Sequence, residues 1–287
     1  MTIRFTCLHA FALTVGFVLA TPLTAAADVL DQVKKDATIR LAVRADAPPF
    51  SAKGDDGKYS GYSVALCRAV AAEIKTDLKL PDLKIVYVPV TAESRFDVIA
   101  KGEADLLCEA TTTTLTRRAV LDFSLPTFVS GAGLAIQSDG PKDLEALAGK
   151  KIGVLGGTTT EEALRTTLKD KKLTADGILA KTHDEGLAAL EAGEVAAYFA
   201  DRTILMYLLN ARTSPQKLLL ADSFLTVEPY ALGLPHGDDA LRLAVDRALS
   251  HLYRSGAVVK IFKESFGAKA KPTSLQRALY TISGLPE

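Results

Sequence analysis

Ala110-Thr111-Thr112-Thr113-Thr114-Leu115-Thr116-Arg117-Arg118, followed five residues on by Phe123-Ser124-Leu125-Pro126, is the stretch on which the reading of this chain turns. It follows an apolar strand candidate, Ala104-Asp105-Leu106-Leu107-Cys108. Thr112 and Arg117 lie five apart. A guanidinium presents paired donors in a fixed plane, and with a hydroxyl and backbone N–H groups beside it the pattern suits a carboxylate. Spacing alone leaves a second reading open, a polar loop with Arg117 in water.

Outward from that stretch, the chain alternates between two periods. Upstream, a short amphipathic helix after Asp28 leads to a strand at 38–43. The turn Ala47-Pro48-Pro49-Phe50 and the loop Lys53-Gly54-Asp55-Asp56-Gly57 then break the chain. A helix over 62–75 carries Val64, Leu66, Val70 and Ile74 on one face, 83–90 alternates as a strand, and 94–101 is a helix. With 104–108 this gives β–α–β–α–β, which implies a parallel sheet covered by helices on both faces. Downstream the order recurs: strands at 132–137, 151–155, 177–180 and 195–200, and helices at 159–169, 185–192 and 202–209. Gly102-Glu103 and Gly193-Glu194 both end a helix before a strand, an echo that fits two lobes of similar build. A strand at 230–234 and helices at 238–253 and 258–266 complete the pattern, with Leu241, Val245 and Leu249 on the core face of the first helix.

Composition narrows the class. Arg4, the apolar run from Phe11 to Ala20 and Ala25-Ala26-Ala27 read as a secretory signal peptide over residues 1–27. That run is short for a membrane span, none is expected later, and Cys7 stands in no lipoprotein-like context. The remaining chain of about 260 residues suggests two lobes. Acidic and basic residues balance at 34 each, and no basic tract stands out, which argues against a nucleic-acid partner. Cys67 and Cys108 remain after cleavage. In an oxidising compartment the even count permits a disulfide, and two separately buried thiols are the alternative; the bridge is the expectation. The four histidines are scattered, so no metal site and no cofactor are expected.

The Thr112-to-Arg117 segment with Asp122-Phe123-Ser124 resembles the α-carboxylate clamp of family 3 periplasmic amino-acid-binding proteins, and the likeness covers nearly all of the chain after residue 27. Within that family the chain is most similar to glutamate/aspartate binders, through Val43-Arg44 and Pro49-Phe50-Ser51. The resemblance implies an α/β fold of two lobes, the type II periplasmic binding protein architecture, each lobe a mostly parallel sheet flanked by helices. Residues 28–130 with 231–287 would form lobe 1 and 131–230 lobe 2, with two hinge crossings, near 129–133 and 229–233. It also assigns roles. Arg117 and Thr112 would take the α-carboxylate, and the Ala110 carbonyl the α-ammonium.

Gly156-Gly157-Thr158-Thr159-Thr160-Glu161 reads from its residues as a strand–turn–helix joint with a capping box and an anion-tolerant helix start. The resemblance makes Thr158 the second lobe's contact to the same carboxylate. Asp201 is an N-cap candidate by position and the ammonium partner by resemblance. Arg44, Arg95 and His183 together would form a positive pocket for a side-chain carboxylate. Arg95, in the first turn of its helix, is badly placed for a cation unless an anion is near. Ala92 and Ala110 stand where the glutamate/aspartate binders have serines, and Ala65 where an Asp is usual.

These features imply a monomeric periplasmic binding protein that captures a polar, acidic amino acid and delivers it to an inner-membrane permease of an ABC importer. The alternatives are a periplasmic enzyme on the same scaffold, similar to cyclohexadienyl dehydratases, and a ligand-sensing module. Against the enzyme, no second pocket carboxylate and no nucleophile–base pair are read in the sequence.

Overall fold

Two five-stranded sheets organise this computed structural model, which describes residues 28–212, 218–222 and 225–287. The signal-peptide reading of 1–27 lies outside the described residues. The first sheet runs, in spatial order, Lys84–Pro89, Thr38–Val43, Leu106–Leu107, Gly233–Pro235 and Leu121–Phe123. Its first three strands are parallel, and Gly233–Pro235 runs against both neighbours. The second sheet runs Asp176–Ala180, Lys151–Leu155, Ala197–Asp201, Ala132–Gln137 and Leu218–Leu220, again with three parallel strands and an antiparallel flank. Parallel strands need helical crossovers. Those are Tyr62–Asp77 and Arg95–Ala100 in the first sheet, and Thr159–Asp170 and His183–Glu191 in the second.

The expected strand at 230–234 is two strands. Glu228–Tyr230 pairs antiparallel with Phe128–Ser130, and Gly233–Pro235 joins the first sheet. The chain changes sheets here, so one continuous ladder cannot form. Phe128–Ser130 leads into Ala132–Gln137, and its partner Glu228–Tyr230 carries the chain back; these are the two crossings between lobes. At 83–90 the alternation is not matched by burial. Lys84–Pro89 is an edge strand with Ile85 and Val86 exposed, since it has a neighbour on one side only.

The loop 53–57 closes a small sheet of Asp46–Ala47, Ser51–Lys53 and Tyr59–Ser60. A helix at Ser274–Ser283 was not expected; Thr273 caps it by accepting from the Gln276 amide at 3.1 Å, and its Leu279 and Tyr280 are buried. Tyr280 and Tyr62 share a hydroxyl hydrogen bond of 2.7 Å, which ties the C-terminal helix to the first lobe's core.

Cys67, inside the Tyr62–Asp77 helix, is bridged to Cys108 at the end of the Leu106–Leu107 strand, with their Cα atoms 6.1 Å apart. The bridge pins that helix to the sheet two residues before the segment quoted at the outset.

Candidate functional site

The segment 110–118 is held by the returning hinge strand. Ala231 donates to the Thr111 carbonyl at 3.1 Å and Thr113 to the Pro229 carbonyl at 2.9 Å. Thr112 therefore faces Tyr230, and Glu228 lies beside it. Thr114 then caps the short turn Leu115–Arg118 by accepting from the Arg117 amide at 3.1 Å. This fixes the Arg117 side chain inward. Its Nη1 donates to the Thr112 carbonyl at 2.8 Å, and its guanidinium lies 4.9 Å from the Phe96 ring centroid. Arg95 stacks on the same ring at 4.5 Å. An aromatic face steadies a desolvated cation, so Phe96 is a support that sequence reading missed. Burial is the main influence lowering the pKa of both groups, Arg95 to about 10, with Glu109 opposing it.

All eight candidate residues, Arg44, Arg95, Ala110, Thr112, Arg117, Thr158, His183 and Asp201, line one narrow cleft. Its walls meet. Thr112 Oγ1 is 3.3 Å from Thr159 Oγ1, and Arg95 Nη2 donates to the Gly157 carbonyl at 3.1 Å. Ala110 brings no hydroxyl. Thr158 is in the wall, but its hydroxyl is committed: it accepts from the Glu161 amide at 3.2 Å and donates to the Leu155 carbonyl at 2.8 Å. The capping box is shifted by one residue, because the Glu161 carboxylate takes the Gly157 amide at 3.0 Å.

Asp201 is the helix N-cap expected from its position, and it lines the cleft. Oδ1 caps the Arg202–Ala211 helix through the Ile204 amide at 2.9 Å, and Oδ2 accepts from the Tyr230 hydroxyl. Burial raises its pKa to about 6; Glu228 adds to the rise, and the hydrogen bonds from Ser130, Tyr230 and Ile204 oppose it.

Three sequence expectations are corrected. First, Glu228 is a second carboxylate in the cleft. Its Oε2 accepts from Thr112 and, at 2.8 Å, from Thr159, while Oε1 accepts from Thr226 at 2.7 Å. The Thr112 hydroxyl therefore points to an acid already in the protein. Second, His183 is not a loop cation. Thr182 caps a helix that starts at His183, which is buried, and burial followed by the Arg44 charge lowers its pKa well below the usual range. It is neutral, with Nδ1 3.0 Å from the Tyr198 hydroxyl.

Third, Arg44 and Arg95 are not bare positive charges. Arg44 Nε donates to Asp46 Oδ1 at 2.9 Å, and the Glu109 carboxylate, with no side-chain exposure, lies 3.7 Å from Arg44 Nη1 and 3.4 Å from Arg95 Nε. Among the described residues no group of three or more His, Cys, Asp or Glu side chains is arranged to hold a metal. No described helix is long and apolar enough to cross a membrane.

A two-lobed α/β chain with a buried arginine at the cleft and an acid capping a helix across from it has a clear sequence counterpart. Residues 39–268 match the profile of the bacterial extracellular solute-binding proteins, family 3. The chain belongs to that family. Among family 3 relatives, it is 33% identical over 248 residues to the L-glutamate/L-aspartate-binding protein of Pseudomonas aeruginosa, covering 86% of this chain and 82% of that one. It is 28% identical over 272 residues to the glutamate/aspartate import solute-binding protein of Escherichia coli, covering 94% and 90%. Among solved structures, it is similar to an ancestral amino-acid-binding protein described as a precursor of cyclohexadienyl dehydratase. There the TM-score is 0.73 and the identity 26%, covering 83% of this chain and 99% of that one. The cysteine-binding protein of Campylobacter jejuni shares the fold at TM-score 0.73 and 23% identity, covering 85% and 96%.

Proposed function

We propose that this family 3 chain captures an acidic amino acid, glutamate or aspartate, in the periplasm and presents it as a monomer to the permease of an ABC importer. The observation that carries the reading is that a buried Arg117, an acid at Asp201 and two further guanidinium groups line the same cleft. An amino acid brings a carboxylate and an ammonium, and each needs an opposite partner once water is excluded. We take residues 28–130 with 231–287 as one lobe and 131–230 as the other. The carboxylate partner then comes from the first lobe and the ammonium partner from the second, so a zwitterion bridges them and favours closure. Thr158 contributes to that closure through its backbone, as its hydroxyl is committed to the helix start. The names of the Pseudomonas aeruginosa and Escherichia coli relatives support the acidic side chain.

The test is a thermal-shift screen of the amino acids and small dicarboxylates on the exported chain. A ligand that binds only the folded state stabilises it by about 2.7 kcal/mol at a hundredfold excess over Kd. Stabilisation by glutamate or aspartate, with little from lysine, leucine or citrate, is the expected result. A shift with leucine or lysine and none with the acids would overturn the acidic assignment.

A second reading rests on one observation, the pair of cleft carboxylates Asp201 and Glu228, of which Asp201 has a pKa of about 6. A carboxyl group so poised near neutrality can serve as a general acid or base. Turnover of a cyclic prephenate-like acid, followed by its product's absorbance, would favour the enzyme over the binding protein.

A further inference from the structure

The Glu109 carboxylate lines neither the cleft nor the surface. It sits behind two of the cleft's cations, immediately after the bridged Cys108. The Thr111 hydroxyl, itself buried, donates to its Oε1 and so fixes it in place. From there Oε1 reaches Arg95 Nε at 3.4 Å and Oε2 reaches Arg44 Nη1 at 3.7 Å; these are ion pairs without hydrogen bonds. Asp46 lies on the other side of Arg44, at 2.8 Å from Nη2. Two guanidinium groups are thus matched by two carboxylates, and the adjoining His183 carries no charge.

We infer that Glu109 is a positioning residue that sets the choice between acid and amide. By neutralising Arg44 and Arg95 from behind, it lets the cleft accept an amino acid whose side chain ends in a carboxamide as well as one ending in a carboxylate. The inference rests on the amino-acid-binding reading above. Its physical basis is that a guanidinium paired inside the protein still offers N–H donors but no longer brings uncompensated charge. A ligand carboxylate placed against it adds a negative charge near Glu109, in surroundings where like charges repel far more strongly than in water. A carboxamide oxygen accepts from the same donors and adds no charge. A donor remains for it: His183 Nε2 is buried and has no hydrogen-bond partner in the protein. If the Tyr198 hydroxyl donates to His183 Nδ1, Nε2 carries the imidazole proton and is a neutral donor, indifferent to ligand charge.

The experiment is calorimetry with glutamate, glutamine, aspartate and asparagine on the exported chain and on Glu109→Gln, which keeps the shape and removes the charge. In wild type, glutamine is expected to bind within about tenfold of glutamate, and Glu109→Gln is expected to move the ratio toward glutamate by about tenfold or more. Thr111→Val, which unpins the carboxylate, should move the ratio the same way by less. A wild-type preference for glutamate beyond about tenfold, or a folded Glu109→Gln protein with an unchanged ratio, overturns the inference. If Glu109→Gln fails to fold by circular dichroism, the wild-type ratio and Thr111→Val decide. A purely structural role would weaken both ligands together and leave the ratio where it was. If no amino acid binds the wild type at all, the amino-acid reading itself falls and takes this inference with it.

Discussion

Asp201→Asn should make the ligand-free protein more stable at pH 7.5 while abolishing binding. The Asp201 carboxyl is raised from 3.8 to about 6, chiefly by burial. Each pKa unit corresponds to about 1.4 kcal/mol, so the ionised form is disfavoured in the folded state by at most about 3 kcal/mol. The residue keeps some contact with solvent, which screens part of that figure. Asparagine caps a helix as well as aspartate, so the Ile204 amide keeps an acceptor. With Oδ1 on the cap, its NH2 group takes the place of Oδ2 and the Tyr230 hydroxyl loses its acceptor, a loss of about 1 kcal/mol. A net gain on the order of 1–2 kcal/mol at pH 7.5 remains.

The sign follows from linkage. The folded-state pKa lies above the unfolded one, so wild type carries no penalty below pH 4 and loses stability as pH rises through about 6. The advantage of Asn should therefore be present at pH 7.5 and absent or reversed at pH 4. Saturating ligand should invert the order at pH 7.5, because the ammonium then pairs with the carboxylate of wild type alone. Urea denaturation of both proteins at the two pH values, with and without glutamate, reads all of this. A variant less stable than wild type at pH 7.5 without ligand, or a difference that does not change with pH, would refute the reasoning.

Three further outcomes are expected. Arg117→Ala should cost on the order of 3–5 kcal/mol of binding, a hundredfold or more in Kd by calorimetry, with little loss of fold because the Thr114 cap uses the backbone amide; near-normal affinity would mean that the clamp lies elsewhere. Gly186→Ala should weaken binding without touching the ligand, since a Cβ at this helical position would run into the Tyr198 ring that holds His183. Overpacking of this kind typically costs about 1–3 kcal/mol, and an unchanged melting temperature with unchanged affinity would show that the helix shifts freely. Replacing Cys67 and Cys108 together by alanine should lower stability by about 3–4 kcal/mol in the chain-entropy view of a loop of about 40 residues, measured by denaturation of the oxidised proteins; equal midpoints would contradict it.

The positions of the cleft residues were legible because each stands at the end of an element the sequence announces. Arg117 follows a cap at Thr114, Thr158 opens a helix after a strand, and Asp201 closes one strand and caps the next helix. The C-terminal helix went unread although Thr273 and Gln276 form a capping pair three residues apart. The charge state of the site was not legible, and the reason is physical. Glu228 acquires its place from Thr112, 116 residues away in the chain, and Glu109 acts on Arg44 from the end of the neighbouring strand. Nothing near either glutamate in sequence sets it apart from a surface acid. His183 was recognisable as a cleft candidate, but its neutrality follows from burial against Tyr198 and the nearby Arg44, which only the fold brings together. Three arginines and a histidine read along the chain look like a strongly cationic pocket. In the folded protein the histidine is neutral, and Glu109 and Asp46 answer two of the arginines. The charge left for a ligand is the difference between these groups, and a difference among non-local partners can reverse a preference that each residue taken singly would suggest.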